Sequence, residues 1–164
     1  GVKTRSTRQR PKGATVTVEL IERLTHRGLT VAIAESLTGG LLCAALTEVP
    51  GASAVIRGGV VAYATDLKAS MLDVPHELLD TVGAVDADVA LEMAAGVASI
   101  LGSDIGISTT GVAGPEPQDG KAVGTVFIAC VWGKKRVVEE LSLSGTRNEI
   151  RWAIRGCGRP CYGV

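Results

Sequence analysis

Apolar positions recur along the chain with two periods, one near 3.6 residues and one close to continuous. In residues 16–26, Val18, Leu20, Ile21 and Leu24 fall on one face of a helix with charges between them, and Gly28 follows as a cap. Residues 29–34 form a short β-branched run that predicts a buried strand. Residues 40–48 read as a helix stopped by Pro50 and Gly51. In residues 56–64, Val60 and Val61 surround Gly58 and Gly59, which predicts a strand with a bulge or a close approach. Asp66 is placed as the cap of a short helix through Leu72, and residues 77–80 as a helical turn after Pro75. Asp86 caps a longer helix to Leu101, with Val89, Met93, Val97 and Ile100 at helical spacing and Ala90, Ala94 and Ala98 allowing tight packing. A strand over 105–109 leads to a Gly- and Pro-rich loop over 111–121. Residues 124–131 and 136–143 flank Gly133-Lys134-Lys135 as a hairpin, and Thr146 caps a helix carrying Arg147 and Arg151.

Helices alternating with strands, and one late hairpin, predict an α/β fold: a three-layer α/β/α sandwich with a mixed, mostly parallel sheet. The 164 residues suit one domain. With 46% hydrophobic and only 3% aromatic residues, the core must be aliphatic. Lys+Arg and Asp+Glu both number 17, but Lys3, Arg5, Arg8, Arg10 and Lys12 crowd residues 1–13, read as a basic disordered leader or linker. The acidic remainder argues against a nucleic-acid footprint, and no apolar run is long enough for a membrane span. Cys43 and Cys130 sit in apolar runs and read as core residues. Cys157 and Cys161 form a lone C-x3-C without a second pair, so no metal site is expected and a reduced, cytoplasmic protein is the simplest reading. The text RGCGRPCYGV cannot continue a helix, so residues 155–164 are expected to be an irregular, altered tail.

The chemistry centres on AESLTGG, residues 34–40. Ser36 stands between a predicted strand and a predicted helix, where ligands collect in open α/β sheets and where helix amides can hold an anion. Gly39 and Gly40 let a ligand touch backbone. A serine needs a base, and His26 and His76, the two histidines, read as surface residues. The stretch VAYATDLK offers Tyr63 and Lys68; the bland alternative is a packed tyrosine and a solvated lysine. The loop TTGVAGPEPQDGKAVGTV resembles a phosphate loop but fails the Walker pattern at Pro115 and Ala122. Arg147 and Arg151, one turn apart, either clamp an anion or form a salt-bridged helix face.

Taken in order, AESLTGG, PGAS, GGVVAYATDLKASMLDV, GAVDADVALEMAAGV, TTGVAGP, KAVGTV and GTRNEIR resemble the CinA C-terminal domain family, whose active members are nicotinamide mononucleotide deamidases. The resemblance covers residues 16–153 and assigns 14–154 to an amidohydrolase domain. It implies hydrolysis of the nucleotide's carboxamide to nicotinate mononucleotide and ammonia, in pyridine-nucleotide salvage. It implies a homo-oligomer that needs no metal or organic cofactor, with a small-molecule nucleotide substrate and neither nucleic acid nor membrane as partner. The domain is often fused behind a molybdopterin-binding-like domain, for which the basic leader would be a linker remnant. By resemblance Ser36 is the nucleophile, and Tyr63 and Lys68 activate it. Thr38, Gly39, Gly40, Thr110, Gly111, Gly114 and Arg147 form the substrate-binding set, with Arg147 near the phosphate. The chain departs from the family text at Leu37, where cysteine is common, at Ala122, where proline is common, and in its tail. The alternative is a non-catalytic nucleotide-binding or oligomerisation module.

Overall fold

The computed structural model describes residues 16–157 and 159–163; the leader predicted at residues 1–13 lies outside them. Helix α1 (Val16–Arg27) buries Leu20, Ile21 and Leu24, the stripe its spacing dictates. Gly28 ends it in the left-handed region, donating to Thr25 O while Leu29 N–H reaches Leu24 O. Strand β1 (Val31–Glu35) is buried along its whole length. It leads to α2 (Leu41–Thr47), a 3-10 turn at Ala52–Ala54 and β2 (Ile56–Val61). Helices α3 (Thr65–Leu72), α4 (His76–Val82) and α5 (Ala87–Leu101) follow, then β3 (Ile105–Gly111), β4 (Thr125–Trp132), β5 (Lys135–Ser142) and α6 (Arg147–Ile154).

The five-stranded sheet has the order β2-β1-β3-β4-β5. β1 pairs in parallel with β2 and β3, and β4 runs antiparallel to β3 and β5, so every strand but β4 points the same way. Alternation along the strands divides the core between two layers. Val31 and Ile33 pack with Leu20, Leu24, Leu42 and Leu46, whereas Ala32 and Ala34 meet Leu72, Val89, Met93 and Val97. On β4, Ile128 faces Ile150 and Ile154 of α6, and Phe127 and Ala129 face Ala90 and Ala94 of α5. The α5 layer lies close because side chains are missing where backbones cross. A Cβ on Gly106 would stand 1.8 Å from Ala94 O, and one on Gly96 equally close to Leu72 O.

Several expectations need correction. The cap of α3 is Ala64, so Asp66 lies within the first turn, where its charge suits the helix dipole without capping it. Ile100 is 52% exposed, and Leu101 packs on the core in its place. β2 ends at Val61, which leaves residues 62–64 as the connection that carries Tyr63. The bulge expected near Gly58 and Gly59 is present as a register shift opposite Val31 and Ala32. The tail does not stand apart: Arg159–Gly163 forms a 3-10 turn against α1, β4 and β5. Cys130 is not a free core thiol but is disulfide-bonded to Cys161, so the reduced reading fails for this pair. Among the described residues no helix is long and apolar enough to cross a membrane.

Candidate active site

The parallel register brings three strands together at their carboxyl ends. Glu35, last in β1, lies beside Val61 of β2 and Thr109 of β3. Ser36 extends the ladder by one bond, its N–H donating to Thr109 O at 3.1 Å. Gly39 and Gly40, at φ +57° and +108°, then turn the chain into α2, a path a side chain would strain. Arg151 braces this turn by donating from Nε to Leu37 O at 2.9 Å. Arg151 therefore does not join Arg147 in an anion clamp.

The serine loop rests on a residue the motif reading missed. The N-cap of α2 is Gly40, which has no side chain to cap the helix. The carboxylate of Glu35, only 2% exposed, accepts from Leu42 N–H at 2.9 Å and Cys43 N–H at 3.0 Å. It fills the positive end of the helix. The expectation that these first amides hold a ligand anion is thereby corrected. The sequence signal was a glutamate ending a buried run ahead of a helix with no Ser, Thr, Asp or Asn at its start.

Lys68 projects from α3 beneath Ser36 and is 1% exposed. Its Nζ donates to Ser36 Oγ at 3.0 Å, Ala62 O at 2.8 Å and Tyr63 O at 3.3 Å. Burial lowers its pKa from 10.5 to about 8, against an upward pull from the Asp119 carboxylate. The solvated-lysine alternative is overturned. Tyr63 thus reaches Lys68 through its carbonyl. Its side chain is 56% exposed, and its phenol oxygen accepts from Arg147 Nη2 at 2.7 Å. Arg147 opens α6 behind a capping box of Thr146 and Glu149, and its Nη1 also donates to Gly114 O. One guanidinium therefore ties α6 to the β2–α3 connection and the β3–β4 loop.

Between these walls lies a cavity of about 390 Å³ lined by Ser36, Tyr63, Thr110, Gly111, Gly114 and Arg147 of the predicted set. It is near the small end of the range for ligand pockets. Lys68, Thr38, Gly39 and Gly40 do not line it. Thr38 is fully buried, its hydroxyl 2.8 Å from that of Thr109, because the turn directs it into the sheet. Thr110 lines the wall, but its hydroxyl donates to Ala84 O at 2.7 Å. Leu37, Ala84, Val85, Ala113, Glu116 and Gln118 also line the cavity and were not named as site residues from sequence. Among the described residues no cluster of three His, Cys, Asp or Glu side chains could hold a metal.

A model of the CinA C-terminal domain matches residues 13–155. The chain belongs to the CinA C-terminal domain family. It is 52% identical over 128 residues to a CinA-like protein of Frankia casuarinae, covering 78% of this chain and 30% of that protein. The CinA superfamily fold recurs in the crystal structure of the competence/damage inducible protein CihA from Agrobacterium tumefaciens, 37% identical, with a TM-score of 0.79 over 89% of this chain and 93% of that one. The competence damage-inducible protein A from Klebsiella pneumoniae gives 32% and 0.82 over 85% and 88% of the two chains. The chain spans about a third of the length of the curated CinA relatives it matches, 30% and 36% for the first two.

Proposed function

We propose that this CinA domain hydrolyses the carboxamide of nicotinamide mononucleotide, giving nicotinate mononucleotide and ammonia, with Ser36 as nucleophile and Lys68 as base. The observation that carries the reading is the buried Lys68 amine 3.0 Å from the Oγ of Ser36, a residue that lines the cavity together with Arg147. With a pKa of about 8 the amine is uncharged in roughly a tenth of molecules at neutral pH, against a negligible share for an ordinary lysine.

In the uncharged form Lys68 takes the Ser36 proton as Oγ attacks the carboxamide carbon. The carbonyls of Ala62 and Tyr63 hold the resulting ammonium. The developing oxyanion is met by the amides of Leu37 and Ala113, which line the cavity and have no acceptor among the described residues. The ammonium returns its proton to the departing nitrogen, and ammonia leaves. Water, deprotonated by Lys68, then cleaves the ester and restores Ser36. Arg147 binds the phosphate by exchanging its neutral partners, the Tyr63 phenol and Gly114 carbonyl, for a dianion.

The test is ammonia release from nicotinamide mononucleotide, the corresponding riboside and free nicotinamide. Release that requires the phosphate is the expected result. Equal release from free nicotinamide would contradict the nucleotide reading.

A further inference from the structure

Helix α6 brings more than Arg147 to the site. One turn on, Arg151 is partly buried, and its Nε bond to Leu37 O meets a carbonyl that the turn after Ser36 leaves over. Ser36 O accepts from Gly39 N–H at 3.0 Å, and Thr38 O accepts from Leu41 N–H at 3.0 Å. Leu37 O, between them, has Arg151 as its one partner among the described residues. No acid draws the guanidinium there. The ion pairs among the described residues join Arg136 to Glu92 and Arg155 to Glu48, and Glu149 is committed to the capping box. The Arg151 Nη2 also lies against Gly39, 3.5 Å from where a Cβ would stand, so the guanidinium flanks the turn at two residues.

α6 grips Leu37 a second time. The Leu37 side chain, 4% exposed, packs with Ile150 and Ile154 in a cluster that also holds Ala113. Leu37 and Ala113 are the two residues whose amides meet the oxyanion, and both are seated on this helix. A carbonyl without a partner in a partly buried turn rotates toward water, and the peptide units on either side of Leu37 rotate with it. The bond from Arg151 prevents that rotation.

Resting on the deamidase reading, we propose that Arg151 is a positioning residue for the reaction: by holding Leu37 O it fixes the backbone that aims the Leu37 N–H at the oxyanion beside Ser36. It touches neither substrate nor reacting atoms. Arg147 and Arg151 leave the same helix one turn apart, so α6 sets the spacing between the group that binds the phosphate and the turn that carries the nucleophile. The two arginines then act on different constants. Arg147 contributes to substrate binding, and Arg151 to an interaction made in the transition state, which appears in kcat.

The experiment compares Arg151→Met, which keeps an apolar stem and removes every donor, with Arg155→Met. The second variant removes the Glu48 ion pair of the same helix and leaves Leu37 O alone. The kcat and KM for ammonia release from nicotinamide mononucleotide are measured beside the rate at which Ser36 is modified by a small alkyl fluorophosphonate. That probe forms an Oγ–P bond and expels fluoride, so it needs the serine and the oxyanion amides but not the nucleotide. Arg151→Met is expected to lower kcat and the modification rate together by about 10- to 100-fold, with KM within about twofold of the parent. Arg155→Met is expected to keep both rates. Equal rates in the two variants overturn the proposal, as does a rise in KM at unchanged kcat. Arg151→Lys, which keeps a donor on a flexible stem, is expected to fall between parent and Arg151→Met. It replaces Arg151→Met if that protein does not fold, and parental rates in it then overturn the proposal. A parent that is modified but releases no ammonia contradicts the deamidase reading alone, and the modification rates still decide the role of Arg151. A parent that does neither overturns both.

Discussion

Lys68 is the residue on which the account turns. A fully buried ammonium is costly, and this one is tolerated because three oxygens surround it. Its folded pKa, about 8, lies below the ordinary 10.5, so between these values the unfolded chain binds more protons than the folded one. Stability from this group is therefore fully present above 10.5 and is lost as pH falls through 8. Two outcomes follow for Lys68→Met. Deamidase activity falls by about 100- to 10,000-fold, as for loss of a general base. The melting temperature of the parent relative to the variant rises between pH 7 and 10, which parallel thermal melts check. The spacing in VAYATDLK was enough to nominate Tyr63 and Lys68. It could not tell which atom of Tyr63 meets the amine, because that depends on β2 ending at Val61 and turning Tyr63 outward.

At the scale of elements, the strand–turn–helix unit β1–α2 depends on Glu35. Its two bonds to α2 amides fix the helix start and, through it, the turn that follows Ser36. Glu35→Ala leaves two amides without partners and is expected to cost about 2 kcal/mol, read from urea unfolding. An unchanged midpoint would show that water replaces the carboxylate at no cost. Periodic elements were legible in the sequence. The α5 stripe, the hairpin around Gly133 and the Thr146 cap depend on neighbours a few residues apart. Glu35 was not legible, because it caps from seven residues upstream, across a turn whose path the local pattern does not define. Asp66 misled for the opposite reason: it is a favoured cap residue placed two positions late.

Across the whole molecule, the site exists because parallel β1, β2 and β3 end on the same side of the sheet. Residues from 36 to 147 converge there although no local motif joins them. The alternation of helices and strands carried enough information to place Ser36 at that edge. The closing segment was less legible. Gly and Pro correctly ended α6, but nothing local signalled that the chain would turn back to pair Cys161 with Cys130 on β4. What the assembled edge does is decided most directly by ammonia release from nicotinamide mononucleotide with the folded parent and Ser36→Ala side by side. The account predicts release by the parent and none above background from the variant. A Ser36→Ala protein that keeps the parent's rate would contradict the serine–lysine mechanism.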